Sequence, residues 1–144
     1  MNRISLTICC VALSLLSNIA AAQTDREVEA HKMVLDLAGA FSNEGFKMRD
    51  GHWTGPLKQK ENALVAVNLY AGNQYWFSVG AVEPAKKIEI ALYDETGNRV
   101  TTEGYSDGEK AAAGFTPSNS GQYYVSVGLL EGGESTFCLV YSYK

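Results

Sequence analysis

The chain has 144 residues, with 12 Lys and Arg against 16 Asp and Glu, a net charge of −4. One domain accounts for that length. A mildly acidic chain without clustered bases excludes a nucleic-acid binder or an anionic-membrane binder as the first reading, because both reward grouped Lys and Arg.

Residues 1–22 have a secretory layout. Arg3 gives the positive start, Ile4 to Leu16 the apolar stretch, and Ala20-Ala21-Ala22 a small-residue cleavage site. The apolar run is broken by Ser14, Ser17 and Asn18 and falls short of the ~20 residues that span a bilayer. Cleavage after Ala22 removes Arg3 and leaves 11 bases against 16 acids, a net charge of −5. It also removes Cys9 and Cys10, so Cys138 remains without an intramolecular partner. The expectation is a secreted or periplasmic protein, with no membrane insertion once the leader is gone, stabilised by burial alone. About 120 residues bury enough surface for that.

Thr24 and Glu27 have the spacing of a capping box. Behind them Ala30, Met33, Val34, Leu37, Ala38 and Phe41 recur at the spacing of one helix face, and Gly45 is a stop signal. The pattern predicts a helix over 25–43 within an N-terminal segment 23–45. It either packs on a sheet or serves as a partner-binding segment. Residues 46–59 show no period, and Asp50-Gly51 and Gly55-Pro56 read as turns. Trp53 either packs under this connection or, if exposed, is a binding candidate.

From Ala63 the period becomes two. Val65, Val67 and Leu69 alternate with Leu64, Ala66 and Asn68; Tyr75, Phe77 and Val79 alternate with Trp76 and Ser78 across the Ala71-Gly72-Asn73 turn. Ile88, Ile90 and Leu92 follow, then a turn at 94–98, a short strand near 99–102, a polar loop at 105–109 and a strand at 111–115. Thr116 to Gly121 is a long turn. Tyr123, Val125 and Val127, then Phe137, Leu139 and Tyr141, form the last rows around a hairpin at 131–134. The prediction is mainly β: an antiparallel, jelly-roll-like β-sandwich of seven to eight strands over 46–144, with one N-terminal α-helix.

Three stretches carry a resemblance. Leu69 to Val79, read as L-x-A-G-x-x-Y-x-F-x-V, resembles an element of bacterial pre-peptidase C-terminal domains. Ile90 to Val100 is similar to that family's L-Y-D strand and turn, and Phe115 to Val127 to its F-T and G-x-Y-Y-V-x-V element. The resemblance covers residues 60–143. It implies a small jelly-roll-like sandwich of the kind appended to secreted proteases and other secreted enzymes for targeting, substrate binding or processing. Here 144 residues leave no room for a catalytic domain beside it. The helical prefix and Trp53 to Leu57 resemble small stand-alone secreted proteins built on the same sandwich. Some relatives bind calcium through acidic clusters ahead of the L-Y-D strand. This chain has Lys86-Lys87-Ile88-Glu89 there, so that site is not carried over.

No nucleophile, base and orienting group can be named together, so the chain is read as no enzyme, with a small hydrolase as the remote alternative. His31 and His52 lack metal-ligand spacing and read as surface residues, and no cofactor is expected. Asp94, Glu95, Asp107 and Glu109 lie in two loops that a sandwich could bring to one end, which makes them weak calcium candidates; solvated turn residues are the simpler reading. Cys138 is either buried or an exposed thiol able to bridge chains.

Aromatic residues are the better functional candidates. Tyr75, Phe77, Tyr123, Phe137 and Tyr141 read as core, with Tyr123 placed to form a tyrosine corner. Tyr70, Trp76, Tyr93 and Tyr124 alternate onto the opposite face. Covered by the helix they are core; uncovered they form a flat platform for a sugar or an extended peptide. With Trp53 they are the ligand-binding candidates. The sequence thus predicts a non-catalytic binding or interaction module with a protein or carbohydrate ligand. The alternatives are a carbohydrate- or matrix-binding protein and an accessory factor acting in trans on a secreted protease.

Overall fold

A computed structural model describes residues 17–144. Residues 1–16, which hold most of the expected leader, lie outside the described residues. One helix, α1 (Ser17–Ser42), precedes nine strands: β1 (Lys47–Met48), β2 (Trp53–Leu57), β3 (Ala63–Leu69), β4 (Tyr75–Ala81), β5 (Ala85–Asp94), β6 (Glu103–Asp107), β7 (Lys110–Phe115), β8 (Gly121–Gly132) and β9 (Ser135–Tyr143). They form a six-stranded sheet of order β1-β9-β4-β7-β6, with β2 following β1 along the same edge of β9, and a three-stranded sheet of order β3-β8-β5. All strand pairs are antiparallel. The expected sandwich is therefore present, with one strand more than the upper count.

The period-two rows build its core. Phe77, Val79, Leu139 and Tyr141 from the larger sheet meet Val67, Leu69, Ile88, Leu92, Val125 and Val127 from the smaller one, all buried in a single cluster. Burial of such side chains contributes ~1.5–3 kcal/mol each. The Tyr123 hydroxyl donates to the Asn119 carbonyl at 2.8 Å, closing the predicted corner.

The larger sheet has a second buried face. In β4 every residue except Trp76 is buried. The outward row of this sheet is small: Ser78, Gly80, Ala112 and Gly114 are joined by Cys138 and Val140. Small side chains let a helix approach, and α1 lies there with Ala30, Val34 and Ala38 packed on Val82, Cys138 and Val140. Met33 fits into the space left by Gly80, its sulfur 3.0 Å from where a Cβ would stand. The apolar stripe read from the helix period is the docked face. Cys138 is free and fully buried under it, so the alternative of an exposed bridging thiol does not hold.

Four local expectations are corrected. The helix does not begin at a Thr24 cap. Thr24 lies inside α1, since Ala20 to Ala22 are strong helix formers and extend it backwards in the full chain. It does end where predicted, with the Gly45 N–H bonded to the Ser42 carbonyl at 3.1 Å and Gly45 at φ +88°, a region glycine enters without strain. Residues 46–59 are not simply a connection: β2 pairs with β9 from Trp53↔Leu139 to Leu57↔Ser135. An edge strand needs hydrogen bonds on one side only, so Pro56 is tolerated there. No strand forms at 99–102; only an isolated Tyr93↔Arg99 bridge does. The strand falls instead at Glu103–Asp107, where a polar loop was expected. All five of its residues are exposed, so it carries no alternation to read.

Candidate functional site

The four aromatics assigned to one outer face are divided between two sheets. Trp76 lies on the helix side, stacked on Phe41 at 4.5 Å between ring centroids. Its indole also covers Gly114, where a Cβ would approach Cζ2 to 2.9 Å. Tyr93 and Tyr124 face each other across β5 and β8 on the smaller sheet, both half-buried. Tyr70 stands alone beyond the end of β3 and is 63% exposed. A single aromatic platform is therefore not formed. Alternation gives the face of a strand but not the sheet to which the strand belongs.

The acidic candidates are also apart. Asp94 is the last residue of β5 and Glu95 follows it. Asp107 and Glu109 flank the β6–β7 turn, whose Gly108 carbonyl accepts from the Ile88 N–H near the start of β5. Six residues of strand separate Ile88 from Asp94, roughly 20 Å. Among the described residues no three His, Cys, Asp or Glu side chains group as metal ligands. Asp94 is engaged in its own turn: its Oδ1 accepts from the Thr96 hydroxyl at 2.7 Å, the Thr96 N–H at 3.0 Å and the Asn98 N–H at 2.9 Å. These bonds, that from the Thr96 hydroxyl first, hold its carboxyl below the usual range.

Trp53 is in a different setting. It is half-buried at the edge of the larger sheet, stacked on Tyr141 at 5.8 Å. The Arg49 guanidinium lies 5.5 Å from the centroid of Trp53 and 5.2 Å from that of Tyr141. Burial pushes the Tyr141 phenol up, and Arg49 opposes that shift. Trp53 opens onto a groove of about 700 Å³ between β2 and β3, lined also by Pro56, Lys58, Glu61, Leu64 and Phe137. Leu64 is 65% exposed on its rim. An apolar floor with one indole, bounded by a lysine, an acid and Asn62, has the make-up of a protein-binding surface. Arg49, Pro56 and Leu64 were not singled out from the sequence. Arg49 lies between β1 and β2 in a stretch without a period, Gly55-Pro56 interrupts the alternation of β2, and Leu64 reads only as one of the outward row of β3.

A second, more polar cleft of about 330 Å³ lies at one end of the sandwich, between the 94–100 and 115–122 turns. Glu95, Thr96, Ser118, Asn119 and Gln122 line it, with Phe115 among them. The structure also brings together two histidines that are 21 residues apart. His31 of α1 and His52 of the β1–β2 connection stack at 4.1 Å. Burial first, and the neighbouring His52 second, lower the His31 pKa.

With this geometry in view, the chain can be set beside known proteins. No protein-family model and no curated protein matches it. Among solved structures, the pre-peptidase C-terminal domain of collagenase from Bacillus anthracis is 21% identical, with 63% of this chain and 87% of that domain covered at a TM-score of 0.50. The fold is that of a pre-peptidase C-terminal domain. The resemblance carried by Leu69–Val79, Ile90–Val100 and Phe115–Val127 thus agrees with the three-dimensional likeness. At this identity the likeness concerns the pre-peptidase C-terminal-like fold alone. The periplasmic inhibitor of g-type lysozyme PliG, from Aeromonas hydrophila, also aligns, at 14% identity over 70% of this chain and 90% of that one, with a TM-score of 0.49. No helix among the described residues is long and apolar enough to cross a membrane.

Proposed function

We propose that this protein is an exported, non-catalytic interaction module that takes a protein ligand in the groove between β2 and β3. The observation that carries the reading is the half-buried Trp53, held by Arg49 and Tyr141 and open to an apolar groove with a polar rim. Trp anchors seated in such settings supply a large share of binding energy at protein interfaces. The leader layout of residues 1–22 supports the periplasm or the exterior as its place of action. The test is affinity capture from the cell envelope and secretome by the processed protein, with Trp53→Ala and Tyr93→Ala in parallel. The expected result is a protein retained by the wild type and by Tyr93→Ala but lost with Trp53→Ala. Retention that ignores Trp53, or no retained protein, counts against the reading.

A second reading, a carbohydrate ligand, is favoured by one observation: the polar end cleft sets hydroxyl and amide side chains beside Phe115. Glycan-array binding abolished by Asn119→Ala and unaffected by Trp53→Ala would select it.

A further inference from the structure

The four sheet edges of this sandwich are not treated alike. On the outer side of β5, Ile88 and Asp94 donate to Gly108 and Asn98, and Leu92 accepts from Val100, so the 98–108 segment covers that edge. β6 is five residues long and has an acid at each end, Glu103 and Asp107. β2 is equally short and contains Pro56. Coverage, charge and proline are the usual protections of an edge strand. β3 has none of them. Its sequence, Ala63-Leu64-Val65-Ala66-Val67-Asn68-Leu69, carries no charge and no proline, and it pairs with β8 alone. Among the described residues no hydrogen bond reaches its outer side.

We propose that β3 is a homodimerisation edge, at which two copies of this chain pair antiparallel and join their three-stranded sheets into one. The second copy is the occupant because the strand suits self-pairing about a twofold axis. A twofold interface sets the two copies of one patch against each other, so a charged strand would meet its own sign; this strand has no charge. The inward row is also unevenly covered. Val67 and Leu69 are buried, whereas Ala63 and Val65, on the same face, are partly open. Pairing centred on Ala66 puts Ala63 opposite Leu69 and Val65 opposite Val67, matching each open half to a covered one. It uses all seven residues and adds ~6–8 backbone hydrogen bonds. It also sets Tyr70, the most exposed tyrosine, opposite Asn62 of the second copy. The β3 edge also lines the Trp53 groove through Ala63 to Ala66, so a second copy and a protein ligand compete there; Trp53→Ala should leave the dimer intact, which separates the two readings.

The test is the solution mass of the processed protein by light scattering over a wide concentration range, together with one cysteine variant. The wild type should reach twice the chain mass. Ala66→Lys, which sets two like charges at the axis, should halve it with the circular dichroism spectrum unchanged, whereas Tyr105→Lys on β6 should leave it doubled. Ala66→Glu, which sets two like charges of the opposite sign at the axis, provides a second charged variant should Ala66→Lys not fold. Ala66→Cys should form an interchain disulfide under mild oxidation, since cross-strand Cβ atoms at the axis are ~4.5–5.5 Å apart; the buried Cys138 gives no background. A wild type that stays monomeric, a dimer indifferent to both charged variants, or an uncrosslinked Ala66→Cys would overturn the proposal, including in favour of a foreign strand at this edge.

Discussion

Replacing Val34 by alanine should loosen the helix from the sandwich, and Cys138 should report it. Val34 is fully buried where α1 meets Cys138 and Val140. The substitution removes two methyl groups, ~0.8 kcal/mol each by transfer, and leaves a small cavity, for a cost of about 2 kcal/mol. Burial first, and Glu27 second, push the Cys138 thiol up to about 12. At pH 8 such a thiol is ionised about once in ten thousand molecules, whereas an ordinary cysteine near ~8.5 is about one-quarter ionised. Labelling by a thiol reagent must therefore pass through an opened state. If α1 opens as its own unit, ~2 kcal/mol raises the population of that state, and hence the labelling rate, about 30-fold. Val28→Ala, at an exposed position of the same helix, should leave the rate unchanged. A native Cys138 that labels as fast as in denaturant, or a Val34→Ala rate equal to that of the wild type, would refute the docked helix.

Two further outcomes follow from single contacts. Tyr123→Phe loses the bond to the Asn119 carbonyl and should lower unfolding free energy by ~0.5–1.5 kcal/mol in urea without changing the slope; an unchanged midpoint would mean that the corner contributes nothing. His31 has a lowered pKa in the folded state, so the unfolded chain binds more protons once pH falls below its ordinary value of ~6.5. Stability from this site is present above that pH and is lost as pH falls from there towards the folded-state pKa. His31→Gln should flatten the pH dependence of the melting temperature in that window, and a wild-type curve already flat there would contradict the stacked pair.

Much of this arrangement is legible in the sequence, but unevenly. β3, β4, β8 and β9 show themselves because one side of each faces a core and the other does not, or faces it through smaller residues. Tyr123 is recognisable because a turn precedes it at the right distance. The helix stripe identifies its own buried face, residue by residue. β6 is invisible since an edge strand exposed on both faces has no pattern, and β2 is masked by Gly55-Pro56. The partnership of strands is harder still. Period two says that Trp76, Tyr93 and Tyr124 each point away from a core, yet only the pairing of β4 with β9 and of β5 with β8 puts Trp76 under the helix and the two tyrosines on the opposite layer. For the same reason the groove beside Trp53, formed where two sheet edges meet, has no local signature. The stacked His31 and His52 have none either.

Hydrogen exchange of the protein in complex with its captured partner tests whether the ligand sits on the side of the sandwich bounded by β2 and β3. Slowed exchange across residues 53–57, which pairing of β3 with a second copy does not protect, is the predicted result. Slowed exchange confined to residues 94–122, with 53–57 unaltered, would contradict it and move the site to the polar cleft.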